Sequence, residues 1–70
     1  MKLNYHPDTD SLYIAFSKNP SSESNEVAQG VVLDFDADGR LVGIDIDNAS
    51  HKLDLNELTT DRIPVRAGAA

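Results

Sequence analysis

Residues 31–46 read VVLDFDADGRLVGIDI. Apolar residues alternate with polar ones on both sides of Asp38-Gly39, and Asp-Gly between alternating hydrophobics is among the strongest short-range hairpin signals. A two-residue turn there sets Ala37 opposite Arg40. Counting outward, Phe35 meets Val42, Leu33 meets Ile44 and Val31 meets Ile46, so the apolar set shares one face. Val27 extends that face upstream, and Gly30 marks a bend or bulge early in a long strand.

The N-terminal seventeen residues repeat the pattern. Leu3 and Tyr5 alternate with Lys2, Asn4 and His6, and Leu12, Ile14 and Phe16 alternate with Ser11, Tyr13, Ala15 and Ser17. Period two over such runs argues for half-buried strands. Pro7-Asp8-Thr9-Asp10 lies between them, with proline presetting φ and aspartate able to bond its own backbone. A four-residue loop sets His6 opposite Ser11, Tyr5 opposite Leu12 and Leu3 opposite Ile14. Turn chemistry and hydrophobic pattern select the same register, as a sheet with one buried face requires.

Lys18 to Glu26 (KNPSSESNE) has no apolar residue except Pro20 and reads as a solvated loop. Beyond Asn48 the period changes. Asp54 followed by Glu57 forms a capping box, with Leu53 and Leu58 spaced as a hydrophobic staple. The spacing predicts a short helix over Leu55–Asp61, with Ser50 as a competing earlier cap. Pro64 pushes Ile63 toward extended geometry and bars any longer helix. The expected organisation is one small domain over residues 1–63 and a frayed tail over 64–70.

Composition narrows the function classes. Seventy residues bury only roughly 60% of the unfolded surface, so stability is marginal without a staple. The chain has no cysteine, which removes disulfides and zinc knuckles. Tight packing and oligomerisation remain. Twelve acidic residues against six basic ones give a formal charge of −6, which opposes binding to nucleic-acid phosphates and to anionic membranes. No apolar run reaches the ~20 residues of a membrane span, and no signal peptide is visible. The expected compartment is the cytoplasm.

Three constellations invite a chemical reading. Asp34-Phe35-Asp36-Ala37-Asp38-Gly39 matches the first half of a calcium loop, and Asp45 falls at the twelfth position. Strands rather than helices flank it, and the hairpin accounts for the same residues, so no metal site is assigned. His6 with Asp8, Asp10 and His51 offers a base or ligand set. It lacks a nucleophile or oxyanion site, and turn formation already explains both aspartates. The third feature is an apolar share on the second sheet face, at Tyr13, Ala15, Val32 and Leu41. Scattered surface apolars are ordinary, yet so small a core favours covering this face, and a second copy of the chain is the simplest cover.

Several of these stretches, taken together, resemble the YuzE-like family, a bacterial domain of unknown function. They are Lys2, Tyr5 and Pro7; Asp10 with Leu12-Tyr13-Ile14; Gly30 to Asp36; Asp38 to Ile44; and the pair Ala49-Ser50. The likeness runs over about residues 2 to 58. His6 departs from it, an aspartate being more usual there. The resemblance implies a short α+β domain with no established activity, substrate or cofactor. By analogy it also implies an operon-partner or toxin–antitoxin role.

The expected fold is therefore α+β: a four-stranded, mainly antiparallel sheet from two consecutive hairpins, with a short C-terminal helix. The expected core is Leu12, Ile14, Phe16, Leu33, Phe35, Val42, Ile44 and Leu55 or Leu58. The expected function is a non-enzymatic protein-interaction module, a homodimer with a further protein partner and no cofactor. The alternatives are a small hydrolytic or metal-dependent enzyme at His6, Asp8 and Asp10, and an acidic nucleic-acid mimic acting through Asp34, Asp36 and Asp45.

Overall fold

The computed structural model of the chain describes residues 1–64. Five strands form one antiparallel sheet: β1 (Lys2–His6), β2 (Ser11–Ala15), β3 (Glu23–Ala28), β4 (Val31–Phe35) and β5 (Leu41–Ile46). Their spatial order is β1-β2-β5-β4-β3. One short helix, α1 (Ala49–Lys52), comes after them. This corrects the expected four-stranded sheet of two hairpins. An N-terminal hairpin joins a three-stranded meander along the β2–β5 seam.

The first hairpin has the expected register. His6 pairs with Ser11, Tyr5 with Leu12 and Leu3 with Ile14. Asp10 takes the left-handed conformation, φ 52°, that closes the four-residue loop, a geometry short polar side chains tolerate.

The fifth strand lies where a loop was expected. Glu23–Ala28 pairs with β4, and every residue in it is exposed. The supposed long third strand folds back at Gln29-Gly30, where Gly30 has φ +72°, so Ala28 faces Val31. An edge strand with no buried face has no reason to alternate, so its sequence looks like loop. Its carboxylates and a register shift between Glu26 and Ala28 are devices that keep an exposed edge from pairing with other chains.

The β4–β5 turn is one residue longer than expected. The Asp36 carboxylate accepts the backbone N–H groups of Asp38 and Arg40, both at 2.9 Å. Asp36 N donates to Arg40 O at 2.8 Å, and Gly39 N to Asp36 O at 3.0 Å. The loop is thus Ala37-Asp38-Gly39, with Gly39 at φ +80°, the three-residue hairpin that ends in a left-handed glycine. Phe35 consequently faces Leu41, not Val42. A bulge absorbs the slip, and the expected pairs Leu33–Ile44 and Val31–Ile46 are restored.

The predicted helix over Leu55–Asp61 does not form; the segment is irregular. Its sequence holds Asn, two Thr and Asp, all poor helix formers, and seven residues cannot hold a helix without packing. The Asp54 carboxylate instead accepts Asn56 N at 3.0 Å, a local turn. The expected tail over 64–70 lies, after Pro64, outside the described residues.

Antiparallel partners share a face, so the registers sort the sheet. One face carries the rows Leu3–Ile14–Ile44–Leu33–Asn25 and Tyr5–Leu12–Ile46–Val31–Ala28. The other carries Asn4–Tyr13–Asp45–Val32–Glu26 and Lys2–Ala15–Gly43–Asp34–Ser24. The buried apolar residues are Leu12, Val42, Ile46 and Ala49. Of the expected core, Leu12 and Val42 are buried, and Ile14, Phe16, Leu33, Phe35 and Ile44 are half-buried. Leu55 and Leu58 are exposed, because the helix that would have seated them is absent.

Candidate functional site

The two faces of the sheet have opposite chemistry. On the apolar face, Leu3, Tyr5, Leu12 and Ile14 floor a groove of about 530 Å³, walled by Leu53, Leu55 and Leu58. Leu3 and Tyr5 are each 44% exposed. Asp54 and Glu57 also line the groove, and the Tyr5 hydroxyl donates to the Asp10 carboxylate at 2.8 Å.

The polar face is organised around Tyr13. Its hydroxyl donates to Asp34 Oδ2 at 3.0 Å, and Ser24 Oγ donates to Asp34 Oδ1 at 2.6 Å. The phenol crosses directly over Gly43, where a Cβ would lie 2.6 Å from the ring carbon Cζ. Glycine at 43 is therefore what lets the tyrosine reach across β5. Burial, then the Asp34 carboxylate, push the Tyr13 hydroxyl above the ordinary tyrosine range. Asp45 is pushed up too, first by burial and then by Asp47 and Asp34, with His6 opposing.

Of the face singled out from sequence, Tyr13, Ala15 and Val32 do lie together on this polar side, all half-buried. Leu41 sits at the far end of β5 beside the bulge and is 41% exposed.

The calcium-like stretch is divided. Asp34 serves Tyr13 and Ser24, whereas the buried Asp36 closes its own turn and accepts Asn19 Nδ2 at 3.1 Å. The Arg40 backbone N–H is the main cause holding the Asp36 carboxyl below its ordinary range. Among the described residues no three metal-ligating side chains converge.

His6 and Asp10 are not brought together. His6 lies on the polar face, opposite Ser11. Asp10 turns the other way and clamps α1. Its carboxylate accepts Ser50 Oγ at 2.7 Å and Tyr5 Oη at 2.8 Å, with Ser50 N at 3.1 Å. Its carbonyl accepts Ala49 N at 2.8 Å. Ser50, then Tyr5, hold the Asp10 carboxyl below the ordinary carboxylate range. The same bond raises the Tyr5 hydroxyl.

Asn48, the residue before α1, offers no side-chain cap, so an aspartate from the first hairpin supplies it. No local motif announces such a cap. The Tyr13–Gly43 contact did leave a signal, since a lone glycine inside a strand marks close approach.

A family model described as a protein of unknown function (DUF2283) matches residues 2–50. No curated protein and no solved structure matches the chain. The matched residues hold the whole sheet and the Asp10–Ser50 clamp, and stop before Leu53, Leu55 and Leu58. Among the described residues no helix is long and apolar enough to cross a membrane.

Proposed function

The chain belongs to the family of proteins of unknown function DUF2283, and from that premise we propose that it is a non-enzymatic protein-interaction domain of the cytoplasm. The observation that carries this reading is the partly covered apolar face. A sheet with leucines and isoleucines across one side, covered in part by a four-residue helix and by the irregular segment of Leu53, Leu55 and Leu58, is surface of the kind that marks protein contacts. Three of the aspartates are meanwhile occupied in structural bonds. Asp10 caps α1, Asp36 closes a turn and Asp34 holds Tyr13.

The YuzE-like likeness belongs to the same proposal, and so does the operon-partner role it implies. The patch at Tyr13, Ala15 and Val32, with Leu41 at its margin, is the second proposed contact surface. It lies on the opposite side of the sheet from the apolar face.

The test is affinity capture from native cells, with wild type and Leu3→Glu as baits, read by mass spectrometry. A protein retained in stoichiometric amount by wild type and lost by Leu3→Glu is the expected result. Absence of any captured protein, together with absence of self-association at high concentration, would sink the reading.

A further inference from the structure

We propose that the apolar groove seats an amphipathic helix of a partner protein, one whose apolar stripe is flanked by lysine or arginine. The inference rests on the interaction reading and names the chemistry of the partner.

Exposed apolar side chains gather at this groove. Leu3 and Tyr5 on its floor and Leu53, Leu55 and Leu58 on its wall are all exposed, around a space of about 530 Å³. That volume is in the range of a small-molecule pocket, but a pocket encloses roughly 70–90% of its ligand's surface. Leu58 is 76% exposed, so the wall stands open and fits a longer apolar ridge instead.

The sheet selects the conformation of that ridge. The floor is a sheet face, and the backbone donors and acceptors of β1 and β2 run within the sheet, not into the groove. An extended segment laid on the face would leave its own N–H and C=O groups unpaired. A helix satisfies its own and presents residues i, i+3, i+4 and i+7 as one stripe.

Charge selects the partner. Asp54 and Glu57 line the groove, and no basic side chain lines it with them. Their hydrogen bonds, from Asn56 N at 3.0 Å and Thr59 Oγ1 at 3.3 Å, stay within their own segment. Among the described residues the one ion pair is Arg62 with Asp61. Asp10, bonded to Tyr5, adds a third carboxylate at the floor. A second copy of the chain would bring the same carboxylates, and an acidic helix would meet the same repulsion. A lysine or arginine beside the stripe finds its counter-charge already in place.

Fluorescence anisotropy tests this with the full chain and a labelled peptide of about 14 residues, with leucines at helical spacing and lysines beside them. Saturable one-to-one binding is expected, weakening about tenfold between low salt and about 0.5 M salt. Leu58→Glu, at a side chain the core does not use, should weaken it about tenfold or more. Asp54→Asn with Glu57→Gln should weaken it and flatten the salt dependence. Glu23→Gln with Asp38→Asn removes the same charge at β3 and the β4–β5 turn and should change neither, which separates the groove from the net charge. No binding overturns the proposal. So does equal weakening by the two double variants, or equal binding of a peptide with glutamate for lysine or with leucine and lysine in strict alternation. Failure of the peptide while a protein is still captured from native cells removes the basic helix and leaves the interaction reading standing.

Discussion

The Asp10 carboxylate and the Ser50 hydroxyl meet at 2.7 Å across a separation of 40 residues, and this bond ties the first hairpin to α1. The carboxyl of Asp10 is held below its ordinary range by Ser50 first and Tyr5 second. A depressed folded-state pKa stabilises the fold above the unfolded aspartate pKa, about 3.9, and that stability is lost as the pH falls through the folded value. Wild-type Tm should therefore drop below about pH 4. In Ser50→Ala the drop should be shallower and the Tm at pH 7 lower. Asp36 shifts in the same direction, so part of the acid response survives. Superimposable pH profiles for the two proteins would refute the clamp.

Gly43→Ala should destabilise by about 1–3 kcal/mol, the usual cost of overpacking. The new methyl would meet the Tyr13 ring and lie 3.1 Å from Ile14 O, displacing the phenol from Asp34. Adding Tyr13→Ala should recover part of the loss, since residues in contact are not additive. Denaturant titration of both variants measures the coupling, and strict additivity would show that the tyrosine does not cover the glycine.

Asp45→Asn should raise Tm at neutral pH. Its carboxyl is pushed up by burial and by Asp47 and Asp34, so its charged form opposes folding. The sign is opposite to that of Asp10. The penalty exists above the raised folded-state pKa and vanishes below the unfolded one. The gain of the variant should accordingly fade as the pH is lowered. A lower Tm for the variant at pH 7 would contradict this.

Leu12→Ala should cost about 2–5 kcal/mol, because Leu12 is 7% exposed within the packed cluster with Ile46 and Ala49. Leu58→Ala, at a side chain 76% exposed, should stay within about 0.5 kcal/mol. Equal losses at the two positions would mean that the irregular segment after α1 packs more tightly than its exposure indicates.

Legibility followed locality. The β1–β2 register was readable because Pro7 to Asp10 and the alternation of Leu3, Tyr5, Leu12 and Ile14 carry the same information twice. Leu33–Ile44 was readable for the same reason. Phe35–Val42 was not, since the Asp36 side chain widens the turn and the bulge hides the change two residues later. β3 has no apolar alternation, because neither of its faces is buried. The position of α1 depends on Asp10, far upstream, and no capping pattern near Ser50 encodes that. The acidic residues were visible as candidates, but which served turns and which served a tyrosine depended on strand order.

The β2–β5 seam carries a kinetic consequence. Tyr13–Asp45 and its neighbouring pairs join segments distant in sequence, whereas every other ladder joins strands adjacent in the chain. Loop-closure entropy must be overcome before such a seam yields any contact energy. The N-terminal hairpin and the meander can each form locally and early, and the rate at which the sheet becomes whole is set by their docking. The stretch from Phe16 to Ser22, pinned at Asn19 against Asp36, is the tether whose length governs that final step.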